Sequence, residues 1–409
     1  MIMCSLTLMC LTSAVWAKPA KVSPLAGKSV LELSTILKES SKESMRFEAA
    51  KVLRGMMPKR LTKLARKQEI PIFGKSDPAI VKILAQGLGD TSSGVRYECR
   101  KALGCGGEVA LDALVSEMKN AEPDVRSYAA DALGDMGTYL DAASIPMEKA
   151  VPALQKALGD KDYRVRVSAA MALSRIGERS APALKQLIKL LKDDEWAVAD
   201  AAVRAVAAAD PSGDKSVPAL VKVLKSKKHD LREFVCNELK AMGQNAKGAI
   251  PALIKLLDVD ADSWYAGKGA GDALAKIVSI DPRNPPVEDK LVKERPKVIA
   301  AIAKSVNTQK IPFMTNDRLS SLLDCKCEIG PEVLPALPVA KQRLQEWIYA
   351  PMRPWVPRRE LLVFLAVAGR NDKENTVAFV KELIADEKVD QDKGLKELNG
   401  LLKKLEVSK

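Results

Sequence analysis

"VPALQKALGDKDYRVRVSAAMALSRIG" occupies residues 151–177. Leu154 and Leu158 stand four apart and so share one face of a helix, and Pro152 suits the first turn, where its missing N–H is not needed. "GDKD" at 159–162 interrupts the pattern as a turn, and Asp162 is placed to cap the helix that follows. Val165, Ala169, Ala172, Leu173 and Ile176 then recur at helical spacing, and Gly177 can close the helix in a left-handed conformation. The stretch predicts two helices joined by a tight acidic turn.

The same pattern recurs on both sides. "LAQGLGDTSSGVRYECRKALGCGG" ends at Gly107 and "VSEMKNAEPDVRSYAADALGDMG" at Gly137. "LIKLLKDDEWAVADAAVRAVAAAD" covers 187–210, and "LVKVLKSKKHDLREFVCNELKAMG" ends at Gly243. In register, Val95, Val125, Val165, Val198 and Leu231 form one column, and Leu103, Leu133, Leu173, Val206 and Leu239 another. A Pro-Ala-Leu opening recurs at Pro152, Pro182, Pro218 and Pro251. Weaker copies surround Arg46 and Trp264 and cover 296–329 and 335–369, so about eight to ten units are expected.

One such pair cannot bury its apolar stripe alone. Stacking each on the next does so, which predicts an all-α solenoid, a superhelix held by short-range contacts. The register slips at 138–148, 279–290 and 349–357, expected to be longer loops on one rim. The acidic turn, the Val-Arg pair, the "AAxAL" run and the closing glycine resemble HEAT repeats, in particular the short bacterial kind named after phycobilisome bilin lyases. The resemblance covers about residues 40–370. It implies a protein-binding scaffold, with enzymes in a few branches.

The totals fit that reading. The chain has 409 residues, 47% hydrophobic but only 4% aromatic, and 29% charged. Its apolar content is Ala, Leu and Val, side chains that favour helix when charge is abundant. The formal charge of +13 favours attraction to polyanions. Residues 1–17, "MIMCSLTLMCLTSAVWA", carry no charge, and small residues precede a cleavage point after Ala17. We read them as a signal peptide of an exported protein, periplasmic or extracellular. Residues 18–40 then form an N-terminal segment, 41–370 the repeats and 371–409 a charged helical cap. Of seven cysteines, five follow Ala17: Cys99, Cys105, Cys236, Cys325 and Cys327. An odd number in an oxidising compartment leaves at least one thiol free or paired between chains.

Candidate chemistry is sparse. His229 is the single histidine, so a two-His metal site, a nucleophilic triad and the His-Glu pairs of di-iron HEAT enzymes all lack their residues. Asp258, Asp260 and Asp262 imitate the start of a calcium loop, but Ser263 and Gly269 stand where Gly and Glu are required. No catalytic residue, metal or cofactor is expected. Cys99 and Cys236 share columns with Ala and Val, as buried structural thiols, whereas Cys105 lies among glycines at a helix end. A lyase-like activity would call on Cys105, and no second catalytic partner can be named for it.

Arg96, Arg126, Arg166 and Arg232 recur with the repeat and are read as structural, bonding turn carboxylates and carbonyls. Ala199 breaks their column. Within the basic run 51–68, Lys59, Arg60, Lys63, Arg66 and Lys67 are interaction candidates. A second candidate is "WIYAPMRPWVPRR" at 347–359, with Trp347, Arg353, Trp355, Arg358 and Arg359, since aromatic and Arg clusters anchor interfaces. The partner expected is a protein of unknown identity. An anionic envelope polymer or membrane surface, gripped through the basic run, is the alternative. Nucleic acid is not expected, because the outward column Lys101, Asp131, Met171, Arg204 and Asn237 is no phosphate track.

Overall fold

The computed structural model describes residues 23–57, 76–139, 145–225, 229–257, 264–279, 289–308, 331–349, 358–385 and 394–407. The described residues form helices and turns, without a strand. They fall into two compact units, divided after Ala153.

The first unit holds α1 (Val30–Glu39), α2 (Glu43–Met56), α3 (Pro78–Gln86), α4 (Ser93–Leu103), α5 (Gly107–Glu117) and α6 (Pro123–Tyr139). The second helix of each pair packs on the second helix of the next, so α2, α4 and α6 form one layer, and α3 packs on α5 in the other. α1 opens on a capping box: the Ser29 hydroxyl accepts from the Glu32 N–H, and the Glu32 carboxylate accepts from the Ser29 N–H.

α7 (Val151–Ala157) carries the chain into the second unit. There follow α8 (Tyr163–Ile176), α9 (Leu184–Leu190), α10 (Trp196–Ala209), α11 (Ser216–Leu224), α12 (His229–Met242), α13 (Ile250–Leu257) and α14 (Trp264–Val278). α15 (Asp289–Thr308), α16 (Leu337–Tyr349), α17 (Arg358–Ala368), α18 (Lys373–Ala385) and α19 (Gly394–Val407) complete it. α8, α10, α12 and α14 stack in sequence as one layer.

The local signals act where the sequence places them. Asp162 caps α8, its Oδ1 accepting from the Arg164 N–H at 2.9 Å. Gly177 closes the helix at φ +72°, a conformation that disfavours any side chain. Pro152 and Pro251 lie in the first turn of α7 and α13. Pro182 differs, because it sits in a 3-10 stretch, Gly177–Ala183, ahead of α9.

Burial follows the two columns. Val95, Val165 and Val198 are fully buried, as are Leu103, Leu133, Leu173, Val206 and Leu239. Each such side chain contributes about 1.5–3 kcal/mol of transfer free energy. Between them run small residues. Ala129, Ala169, Ala202, Ala130 and Ala170 have no exposure. With so little side chain between them, neighbouring second helices approach closely. Gly269 in α14 carries this to its limit: a Cβ there would lie 2.8 Å from the Cβ of Cys236 in α12. Glycine in mid-helix costs about 1 kcal/mol against alanine, and the α12–α14 contact is the physical reason it stands here.

Candidate interaction surface

The turns between paired helices come first, because the repeating arginines converge on them. Asp90, Asn120, Asp160 and Asp193 occupy equivalent turn positions. Each accepts, through its side chain, the N–H two residues on, at 2.8 to 3.0 Å. This is the Asx turn, a side chain standing in for a backbone acceptor. It leaves the carbonyls of the turn pointing outward, and the arginines satisfy them.

Arg96 Nη1 donates to the Asp90 and Thr91 carbonyls at 2.6 and 3.0 Å. Arg126 Nη1 donates to those of Asn120 and Ala121 at 2.8 and 2.7 Å. In the second unit Arg166 Nη1 reaches Asp160 and Lys161 at 2.9 and 3.2 Å. Its remaining edge forks onto Asp193 in the following turn, Nε to Oδ2 and Nη2 to Oδ1, both at 3.0 Å. Arg46 makes the same fork to Asp90, at 2.8 and 3.1 Å, and Asp90 raises its pKa. Arg232 sits at the matching position of α12. Only a planar guanidinium offers donors along both edges.

The other candidates are distributed differently. Lys59, Arg60, Lys63, Arg66 and Lys67 lie outside the described residues, as do Arg353, Trp355, Cys325 and Cys327. Trp347 falls in α16, and Arg358 and Arg359 begin α17. Cys99 and Cys236 are buried and Cys105 is half-exposed. Burial, with the charges of Asp90 and Glu98, pushes the Cys99 thiol up to about 12, which suppresses its thiolate. Among the described residues, no group of three or more His, Cys, Asp or Glu side chains is placed to hold a metal ion. No described helix is long and apolar enough to cross a membrane.

Two surface features emerge only when the repeats are stacked. On the layer of second helices, Tyr163 and Trp196 open α8 and α10 with 45% and 46% of their surface exposed. The Trp196 ring meets Phe234 edge-on at 5.7 Å, and Arg204 lies over the Phe234 ring while pairing with Asp200 at 2.9 Å. Burial beside this group, with the charge of Asp200, raises the Glu238 carboxyl above its usual range, against the pull of Arg204. On the layer of first helices, Lys156, Lys189, Lys222 and Lys255 are all exposed at one position of α7, α9, α11 and α13, each 33 residues after the last. Their signal was present in the sequence as that spacing, but it belongs to the shorter, less conspicuous helix of the pair.

Stacked helix pairs of this kind define an α-solenoid. Residues 111–189 and 184–275 match the family model of HEAT repeats. Among solved structures, the chain is similar to importin beta, with 10% identity over 92% of this chain and 54% of that one, at a TM-score of 0.57. It is similar to Kap95p, from a structure with RanGDP, with 13% identity over 91% and 52% and the same TM-score. The chain thus spans about half the length of these two, and at such identity the likeness is one of fold alone. The complex of CpcE and CpcF of phycocyanin lyase from Nostoc sp. PCC7120 aligns at 20% identity over 69% of this chain and 97% of that one. Its TM-score of 0.33 is too low to imply a shared arrangement of helices. No match is found among the curated proteins.

Proposed function

We propose that the protein is an exported, non-catalytic scaffold that binds another protein. The observation that carries this is the stack itself. Its turns are closed by the arginines' own hydrogen bonds, so successive helix pairs present side chains of like position in rows, as a solenoid interface requires. The fold is the one on which Kap95p engages RanGDP. Export rests on the uncharged leader, with cleavage after Ala17.

Co-purification from the exported fraction, washed at low and then high salt, tests the reading. A defined protein that survives the high-salt wash is the expected result, and N-terminal sequencing should begin at Lys18. Recovery of no protein at either salt would overturn the scaffold. A cytosolic chain beginning at Met1 would overturn export alone. The +13 charge and the acid-free run 51–68 favour a second reading, a basic module on an anionic polymer or lipid surface. Charge reversal at Lys59, Arg60, Lys63 and Arg66 should abolish all binding on that reading and leave protein binding unchanged on the first.

A further inference from the structure

The four lysines of the first-helix layer are the most ordered charge on the described surface. α7, α9, α11 and α13 contain no acidic residue between them. Of the equivalent helices of the first unit, α3 repeats the pattern with exposed Lys82 and no acidic residue, whereas α5 holds Glu108, Asp112 and Glu117 and no lysine. A face that exists only for solubility normally mixes both signs. Here one sign recurs at one position. Lys156, Lys189, Lys222 and Lys255 are exposed, and among the described residues none of them pairs with a carboxylate. The second helices of these four repeats stack in sequence, and packed helices lie about 10 Å apart, so the row advances by about one helix spacing per repeat.

From this row we infer a docking surface for an acidic polypeptide segment. The inference rests on the scaffold reading and names its partner's chemistry. Directly before three of the lysines stand Ile188, Val221 and Ile254, each half-buried. The row therefore alternates a flexible cation with a shallow aliphatic patch. A polysaccharide or a phosphate polymer has nothing to place on those patches. A lipid surface would need apolar side chains that protrude, and these do not. An acidic polypeptide supplies both parts, carboxylates for the ammonium groups and side-chain carbon for the aliphatic steps between them. The spacing sets its pattern: a carboxylate about every third residue of extended chain, or about every seventh residue of helix. Lysine, a compact charge on a long stem, suits a row read by position and sign rather than by bidentate geometry.

The test uses the full-length protein and poly-L-glutamate, with heparin and phosphatidylglycerol vesicles as comparators. Lys156→Glu, Lys189→Glu, Lys222→Glu and Lys255→Glu are combined in one variant. Lys38→Glu, Lys42→Glu, Lys119→Glu and Lys149→Glu, all exposed lysines of the first unit off that helix position, make a control of equal charge change. A thermal melt verifies that both fold, and four Lys→Gln substitutions replace the reversal if it does not. The row variant should bind poly-L-glutamate roughly tenfold more weakly or worse, because four individually weak exposed pairs act together. The control should lose less than about threefold, the effect of net charge alone screened by salt. Equal loss in both variants overturns the inference, as does wild-type binding to heparin or vesicles that matches poly-L-glutamate and falls with it. If wild type ignores poly-L-glutamate while a protein still co-purifies through high salt, the row fails and the scaffold stands.

Discussion

Arg166 ties two turns together with one side chain, and its loss should be felt in both. It satisfies two carbonyls of its own turn and forks onto Asp193 of the next, with both partners largely buried. Arg166→Ala removes the guanidinium from two turn carbonyls and from the Asp193 carboxylate, and we expect a loss of about 2 kcal/mol in urea unfolding. Arg166→Lys should recover less than half of it, since an ammonium cannot span the fork. The capping box at α1 gives a pH signature. The Ser29 N–H, then Lys28 and the Ser29 hydroxyl, hold the Glu32 carboxyl at about 2 rather than its usual 4.5. A depressed carboxylate contributes stability above its unfolded pKa and loses it as pH falls through the folded one. Protection of the α1 amides should therefore be constant above about pH 5 and decline toward pH 2. Glu32→Gln should flatten that decline, as read by hydrogen exchange.

At the scale of the element, close helix approach overrides local propensity. Gly269→Ala would ordinarily favour a helix by about 1 kcal/mol. Here its Cβ would meet that of Cys236 at 2.8 Å, and overpacking typically costs about 1–3 kcal/mol. The substitution should lower the melting temperature, whereas Gly55→Ala in α2, with open space around it, should leave it unchanged or raise it. Proline shows a similar override. Pro296 stands where a weaker copy of the repeat is read to begin, yet α15 begins at Asp289 and runs through it. Arg295, the residue before it, donates to the carbonyl of Val278 and ties this part of α15 to the end of the preceding helix.

At the scale of the molecule, a solenoid distributes stability as a chain of neighbour contacts. Damage in one repeat should stay near it. Leu173 is fully buried in α8, and Leu173→Ala should cost about 2–5 kcal/mol. Amide protection should fall in α8, α9 and α10 while α18 and α19 keep theirs, as hydrogen-exchange mass spectrometry would show. Uniform loss across the second unit would instead mean that it unfolds as one cooperative body.

The helix pairs of the central repeats, the capping residues Asp162 and Gly177 and the two buried columns were legible in the sequence. Their causes are local: a 3.6-residue period, a turn residue, a left-handed glycine, each repeated until chance is excluded. HEAT-like pairing followed from the same repetition. The division after Ala153 had no mark in composition, because it depends on which helices touch, and touching is not a property of any one segment. Nor did the sequence reveal why Gly269 stands in a helix, since the atom that requires it lies in α12, more than thirty residues away. The lysine row was written in the spacing all along, but its meaning needed the stack. A period of 33 residues becomes a line of charge only when equivalent helices lie side by side, and packing alone decides that.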